Sequence, residues 1–311
     1  MFIATLIAES GLSEILPEMA HQFQDWTAGT LRGFSWIEED VAGDLIFAPA
    51  KGFTPLDCAE LADALHDECV SIASGGLGRD LELDVVVQPS ANRRKRLLVA
   101  DMDSTIITVE CIDELADYAG VKPQVAEITE RAMRGELAFE GALRERVALL
   151  AGLDEQVLGR CMAERVRLTP GAETLIRTMR AHGAHCLLAS GGFTFFAERV
   201  AEAAGFDQSL SNRLGIASGR LTGQVEGPIV GAEQKRQALV DTAAERGIDL
   251  ADTLAIGDGA NDIPMLQAAA LGIAYRAKPA VVSAAGAQIH GDLTALLYAQ
   301  GYPRKDWVPT G

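Results

Sequence analysis

The chain has 311 residues, more than the roughly 100–200 of a single domain, so we expect two or three modules. Its 44 acidic residues outnumber 27 basic ones, and the formal net charge of −17 argues against nucleic acid or anionic membranes as partners, because both select basic patches. No apolar run reaches the ~18 residues of a membrane-spanning helix. The five cysteines form no Cys-x-x-Cys pattern. These features together predict a cytoplasmic protein with reduced thiols.

Residues 1–87 are predicted to form an N-terminal α+β domain. Apolar patterns predict strands at 2–7, 34–37, 45–47 and 81–87, and helices at about 12–27 and 55–73. The resulting order βαββαβ is that of a ferredoxin-like split unit, which small amino-acid-binding domains of the ACT type share. Such a module can sense an amino acid, mediate homodimerisation or serve as a structural appendage. The lack of a visible ligand motif favours the appendage.

Residues 88–96 are the best candidate for a linker, because they are polar, charged and contain Pro89. The basic run from Arg93 to Arg96 has the composition of a nucleic-acid patch. It stands alone in an acidic protein, however, and directly precedes an apolar strand. We therefore expect a solvated charged run.

An apolar strand at 97–100 ends on two carboxylates, Asp101 and Asp103. In open α/β sheets the ligand crevice lies just beyond the carboxyl ends of the strands. An acidic pair there suits a hard cation such as Mg²⁺, with one carboxylate free to attack or to transfer a proton. Asp-x-Asp alone fits a solvated strand end equally well.

Two further strand ends have the same design. The strand at 254–257 runs into Asp258, Asn261 and Asp262, so a second acidic end can complete a metal site beside the first. The strand at 186–189 runs into Ser190-Gly-Gly, whose hydroxyl and backbone N–H groups can hold a phosphate. Lys235, near the start of a helix, can add a positive charge. Together these features are typical of phosphoryl transfer.

A long helical stretch separates the first strand end from the rest of the sheet. Helices are predicted at 111–119, 122–134, 139–150 and 154–165. We expect residues 110–169 to form a helical insertion between the two parts of the sheet domain, 97–109 and 170–300; the resemblance described next implies that they are the cap and the catalytic core. The tail, 301–311, contains two prolines and is expected to be a loose end.

The order of these motifs resembles that of the haloacid dehalogenase superfamily of phosphatases. The carriers of the resemblance are Asp101-Met-Asp-Ser-Thr, Ser190-Gly-Gly, Lys235 and Gly257-Asp-Gly-Ala-Asn-Asp. The chain also resembles the phosphoserine phosphatase family within this superfamily, at Glu110, in the segment from Met133 to Phe139, and at Arg146. The resemblance covers roughly residues 93–300. It implies an α/β fold: a Rossmann-like parallel sheet with a helical cap inserted after the first core strand.

The resemblance also implies roles for the catalytic residues. Asp101 would be the nucleophile that forms an aspartyl-phosphate, and Asp103 the general acid and base. Mg²⁺ would be held by Asp101, the backbone carbonyl of Asp103, and Asp258. Supporting positions behind these ligands would be taken by Ser104, Asn261 and Asp262.

The implied substrate is O-phospho-L-serine, hydrolysed to L-serine and phosphate as the last step of serine biosynthesis. Its phosphoryl oxygens would be bound by Ser190, Gly191, Gly192 and Lys235, with Asn261 nearby. Glu110 would receive the ammonium group and Arg146 the carboxylate, because a planar guanidinium can bond both oxygens. Met133 and Phe139 would line the pocket.

Two other functions remain open at this point. One is a related phosphatase or phosphotransferase that acts on another phosphorylated amino acid or amine. The other is a serine-sensing regulatory protein whose N-terminal module carries the function. A phosphorylatable acceptor of the response-regulator or ion-pump kind has less support, because no membrane segment is visible and Glu110 and Arg146 would have no role.

Overall fold

The computed structural model describes residues 1–23, 29–54, 57–76, 81–133 and 136–310, apart from the side chains of Gln22 and Met133. It contains a four-stranded and a seven-stranded sheet. Within these residues, no helix is both long and apolar enough to cross a membrane.

The four-stranded sheet belongs to the N-terminal region and has the predicted element order βαββαβ. The elements are β1 (Phe2–Ala8), α1 (Leu12–Gln22), β2 (Gly29–Glu38), β3 (Ala42–Pro49), α2 (Cys58–Gly76) and β4 (Leu83–Pro89). The strands are antiparallel in the order β2-β3-β1-β4, which is consistent with an ACT-like domain. Strand β2 is longer than the predicted 34–37. The predicted helical residues 24–27, 55 and 56 lie outside the described residues.

The seven-stranded sheet forms the core of the remaining chain. Its strands are β5 (Leu97–Ala100), β6 (His185–Phe193), β7 (Gln208–Ala217), β8 (Arg220–Glu226), β9 (Thr253–Gly257), β10 (Leu271–Tyr275) and β11 (Ala287–Ile289). Their order is β11-β10-β9-β5-β6-β7-β8, parallel except for β8. The predicted strand at 97–100, β5, lies between β9 and β6, and the three polar strand ends meet at one edge.

Helices cover both faces of this sheet, which explains why β5 is apolar throughout. Leu98 and Ala100 pack in the cluster on one face, while Leu97 and Val99 pack in the cluster on the other. The helices on the first face are α7 (Ala172–Ala181), α8 (Thr194–Ala204) and α12 (Ala295–Ala299). Those on the second are α9 (Ala232–Glu245), α10 (Ile263–Ala268) and α11 (Pro279–Val282).

Four helices follow β5 before the chain returns to the sheet, as predicted. They are α3 (Cys111–Ala119), α4 (Lys122–Met133), α5 (Phe139–Ala148) and α6 (Gln156–Glu164). The segment that leads into these helices and the segment that leads out of them lie side by side. Thr108 N donates to Arg167 O at 3.1 Å, and Thr169 N donates to Ile106 O at 2.9 Å. The inserted helices are thus joined to the core through two adjacent strands of chain.

Strands β7 and β8 form a hairpin that contacts the inserted helices. Leu221 makes two backbone hydrogen bonds to the loop between α5 and α6, accepting from Gly152 N at 2.8 Å and donating to Leu153 O at 2.9 Å. Arg220 Nη1 adds a bond to Gly152 O at 2.7 Å. The hairpin and the second half of the helical insertion are therefore held together.

The prediction that the basic run from Arg93 to Arg96 is solvated is wrong for two of its members. Lys95 is buried, and its Nζ donates to Ala251 O at 3.2 Å. Arg93 Nη1 and Nη2 each donate to Asp44 of β3 at 2.7 Å, while Nε donates to Ala299 O of α12 at 2.9 Å. Arg93 thus joins the N-terminal sheet to the core.

The prediction of a loose C-terminal tail is also wrong. Tyr302 is buried, and Trp307 Nε1 donates to the Tyr302 carbonyl at 3.0 Å. Val308 N donates to Thr178 Oγ1 of α7 at 2.9 Å. The tail packs because its aromatic residues bury apolar surface, an effect that its two prolines do not oppose.

Candidate active site

The carboxyl ends of β5 and β9 bring three carboxylates together. Oxygen atoms of Asp101, Asp258 and Asp262 lie within 4.8 Å of one another. The backbone places them there, because Asp101 N donates to Ile256 O at 2.9 Å and so extends the pairing of β5 with β9. A short turn after Gly259 then brings Asp262 back, and its Oδ2 accepts from Gly259 N at 3.0 Å.

Lys235 of α9 is fully buried against this cluster. Its Nζ donates to Asp101 Oδ1 at 2.5 Å and to Asp262 Oδ1 at 2.7 Å. Burial works against the ammonium, but the charges of Asp101 and Asp262 outweigh it and hold the pKa of Lys235 above its ordinary value. The lysine is therefore charged, and it holds both carboxylates in place.

The three carboxylates of this cluster carry more negative charge than the single ammonium of Lys235 can balance. Burial, and next the charge of Asp262, raise the pKa of Asp101 well above its usual range. The same two causes, in the same order, raise the pKa of Asp258 to about 7. Clustered oxygen ligands that are costly to ionise fit a divalent metal ion, whose charge would stabilise the carboxylates.

Asp103 lies beside the cluster in the turn Met102–Ile106, where its own backbone is extended (φ −66°, ψ 137°) and Ser104 has a positive φ of 55°. Its Oδ1 accepts from Cys111 N at 3.0 Å. A methyl group added at Gly192 would lie 2.6 Å from Asp103 Oδ2, so a residue without a side chain is required there. Burial, followed by the charge of Glu110, raises the pKa of Asp103 to about 7.

The Ser190-Gly-Gly segment forms an irregular loop at the end of β6. Pairing with β7 is interrupted between Ala189 and Phe193. Ser190 is buried, and its Oγ accepts from Gly192 N at 2.8 Å. The loop faces the same edge of the sheet as Asp101, as the phosphate-binding prediction requires.

Phe139 of α5 packs over this loop. A methyl group added at Gly191 would lie 2.9 Å from Phe139 Cζ, and one at Gly231 would lie 3.3 Å from Phe139 Cδ1. Asn261 Nδ2 would lie 3.8 Å from the methyl group at Gly191. The ring therefore closes the site from the side of the inserted helices.

The two predicted ligands for an amino acid also reach this region. Glu110 Oε1 accepts from Ser104 Oγ at 2.8 Å. Arg146 is half-buried, with Nε donating to Ala142 O at 3.3 Å, and it makes no ion pair within the described residues. Burial lowers the pKa of Arg146 below its ordinary value. The negative charges of Asp113, Glu110 and Asp103 oppose part of this shift, because all three carboxylates lie nearby. The side chain of Met133 lies outside the described residues.

Sequence analysis missed two polar residues at the site. Thr105 ends the Asp101-Met-Asp-Ser-Thr motif but has no role in the prediction, and its Oγ1 donates to Asp258 Oδ1 at 3.4 Å. Asn212 of β7 bonds to the Ser190-Gly-Gly loop, with Nδ2 donating to Gly191 O at 2.8 Å. Asn212 belongs to no recognised motif, so only the folded structure reveals it.

The fold and the site define a class of protein. The family model for haloacid dehalogenase-like hydrolases matches residues 98–267, and the chain belongs to this family. The match includes the described acidic cluster, Lys235 and the inserted helices. It thereby confirms the predicted superfamily, and it implies a divalent metal ion.

Individual relatives agree with this assignment. A phosphoserine phosphatase of Streptomyces coelicolor is 46% identical over 267 residues, covering 85% of this chain and 64% of that protein. The structure of a probable phosphoserine phosphatase from Vibrio cholerae, in unliganded form, has 31% identity and a TM-score of 0.72, covering 98% and 88% of the two chains. The structure of a phospho-aspartyl intermediate analogue of phosphoserine phosphatase has 40% identity and a TM-score of 0.62. The match covers 66% of this chain and 98% of the chain in that structure. The chain spans less than two thirds of the length of two of the curated relatives, 64% of the Streptomyces coelicolor protein and 61% of a phosphoserine phosphatase of Archaeoglobus fulgidus.

Proposed function

We propose that this chain is a Mg²⁺-dependent phosphatase that hydrolyses O-phospho-L-serine to L-serine and phosphate. The observation that carries the substrate assignment is the half-buried Arg146, which has no ion-pair partner within the described residues. The nearby carboxylates of Asp113, Glu110 and Asp103 lie beyond ion-pair distance, so the guanidinium keeps its donors available for the carboxylate of a ligand. The names of the relatives point to the same substrate.

The amino-acid part of the substrate fits between the inserted helices and the core. Arg146 would bind the carboxylate through its two Nη groups, and Glu110 would bind the ammonium. Phe139 would cover the chain between these groups and the phosphoryl group. A phosphate ester without a carboxylate would leave Arg146 unpaired, so the pocket discriminates by charge.

The reaction would proceed in two steps. Asp101 attacks phosphorus, the bond from phosphorus to the seryl oxygen breaks, and Asp103 gives its proton to that oxygen. A water molecule then attacks the aspartyl-phosphate, Asp103 takes a proton from it, and the bond from Asp101 to phosphorus breaks. Similarity to a phospho-aspartyl intermediate analogue supports this sequence.

The remaining groups would stabilise charge on the phosphoryl oxygens. Lys235, Ser190 and the N–H groups of the following glycines would bind these oxygens. Mg²⁺, when bound, would neutralise phosphoryl charge, and Asp101, Asp258 and the Asp103 carbonyl would hold it. Hard oxygen ligands favour Mg²⁺ over softer metals.

We also propose the division of the chain that its sequence predicts. Residues 1–87 would be an ACT-like domain, 97–109 with 170–300 the catalytic core, and 110–169 the cap. The separate four-stranded sheet and the adjacent chain segments at 106–108 and 167–169 support these boundaries.

The Arg146→Gln variant tests the substrate assignment. Because the lost ion pair serves only a substrate with a carboxylate, we expect KM for phosphoserine to rise about 10- to 100-fold. Turnover of p-nitrophenyl phosphate should remain unchanged. Arg144→Gln is the matched control, since Arg144 is exposed on the same helix. Equal losses on both substrates would contradict the assignment of Arg146 to the carboxylate.

A further inference from the structure

Asn212 lies behind the candidate phosphate site and is almost completely buried, with 1% of its surface exposed. It belongs to β7, next to the irregular end of β6. Leu210 pairs with Ala189, and Asn212 pairs with Phe193. Three residues of β6 therefore lie opposite one residue of β7, and this bulge takes the backbone of Ser190, Gly191 and Gly192 out of the regular ladder.

The side chain of Asn212 replaces the missing backbone contact. Its Nδ2 donates to Gly191 O at 2.8 Å, the carbonyl in the middle of the bulge. The same nitrogen donates to Val230 O at 3.3 Å, while Oδ1 accepts from Val230 N at 2.7 Å. Both protons and the oxygen of the side-chain amide are therefore used. If the positions of Nδ2 and Oδ1 were interchanged, the NH₂ group would face the N–H of Val230, and two donors would meet.

These bonds join two separate parts of the phosphate site. Val230 precedes Gly231, the N-cap residue of α9, and Lys235 N donates to Gly231 O at 3.0 Å in the first turn of that helix. Asn212 therefore holds the loop of Gly191 at a fixed distance from the helix start that carries Lys235. Phe139 lies close to both parts, at Gly191 and at Gly231.

We propose that Asn212 is a positioning residue that sets the spacing between the two phosphate-binding elements, the Ser190–Gly192 loop and the N-terminal turn of α9. It touches no reacting atom. Asn212 acts by fixing the positions of the Gly191 carbonyl and the Val230 backbone. These positions determine whether the loop N–H groups and Lys235 can bind the same phosphate group. The inference rests on the proposed function, because it assumes that these elements bind phosphate.

Two variants separate positioning from simple stability. Asn212→Ala removes all three bonds, while Asn212→Asp keeps the acceptor for Val230 N and loses both donors. Gln88→Ala is the control, since Gln88 is equally buried and donates to Ala299 O at 2.8 Å far from the site. The measurements are kcat and KM for phosphoserine, the inhibition constant of inorganic phosphate, and the Tm, all with Mg²⁺.

We expect KM and the phosphate inhibition constant of both Asn212 variants to rise in parallel by about tenfold, the factor that corresponds to one net hydrogen bond. The control should lower the Tm and leave both constants unchanged. An Asn212 variant that folds and keeps both constants within about twofold, with only a lower Tm or a smaller active fraction, would overturn the proposal. Either variant that folds decides the question.

Failure of this inference is distinguishable from failure of the proposed function. If the unaltered chain does not hydrolyse phosphoserine, the proposed function is wrong. Binding of inorganic phosphate with Mg²⁺, measured by calorimetry, then compares the unaltered chain with the Asn212 variants directly. Equal phosphate affinities in that comparison would overturn the role of Asn212.

Discussion

At the scale of single residues, the site is organised by a few buried charges. Lys235 is bonded to Asp101 and Asp262, and its charge holds two carboxylates that would otherwise repel each other. The candidate nucleophile is thus kept in one position before substrate arrives. Such fixed geometry supplies much of the advantage of an enzyme site.

The Asp101→Asn variant removes the proposed nucleophile and keeps its shape. Because an amide does not form the acyl phosphate, we expect phosphate release to fall by at least about 10⁴-fold, with the far-UV circular dichroism unchanged. Asp241→Asn, an exposed position on α9, serves as control and should keep full activity. Appreciable turnover by Asp101→Asn would assign the nucleophile elsewhere.

The residues of the acidic cluster could be predicted from the sequence because each follows a strand end. Strand ends of a parallel sheet converge, so Asp101, Asp258 and Ser190 had to meet once the strands were located. Asn212 could not be predicted in this way. Its role depends on a bulge in the neighbouring strand, and neither β7 nor the turn before α9 carries a signal of it.

At the scale of elements, α5 contacts the Ser190–Gly192 loop so closely that a single added methyl group tests the contact. Phe139 lies where a side chain at Gly191 would be. The helix and the loop therefore have matched shapes, and the position of the ring depends on the absence of a Cβ.

The Gly191→Ala variant should push the Phe139 ring away from the loop. We expect kcat/KM for phosphoserine to fall about tenfold or more, because displacement of a pocket wall by a fraction of an ångström disturbs substrate alignment. Combining it with Phe139→Leu should restore part of the loss, since the shorter side chain makes room. Gly141→Ala is the control, because a methyl group there has no atom within 4 Å. Purely additive losses in the double variant would contradict the proposed contact.

At the scale of the whole molecule, a buried ion pair joins the N-terminal sheet to the core. Arg93 bonds to Asp44 of β3, to Thr5 of β1 and to two carbonyl groups of α12. Its partners lie far apart in the sequence. For this reason local composition predicted a solvated linker, whereas the folded chain surrounds Arg93 with acceptors.

The Arg93→Leu variant should destabilise the protein strongly. Removal of one partner leaves the buried Asp44 without its cation, which costs about 3–5 kcal/mol in the free energy of unfolding. Arg96→Leu, at an exposed position of the same run, should change it by less than about 0.5 kcal/mol. Urea unfolding followed by circular dichroism measures both. Equal stabilities of the two variants would show that Arg93 does not secure the junction.

The most direct test of the proposed function is phosphate release from O-phospho-L-serine, compared with phosphothreonine and p-nitrophenyl phosphate, with Mg²⁺ and with EDTA. The acidic cluster predicts that EDTA abolishes turnover and that added Mg²⁺ restores it. Arg146, which makes no ion pair within the described residues and lies near Glu110, predicts a strong preference for phosphoserine over p-nitrophenyl phosphate. Turnover that survives EDTA, or equal turnover of p-nitrophenyl phosphate, would contradict the metal site in the first case and the substrate pocket in the second.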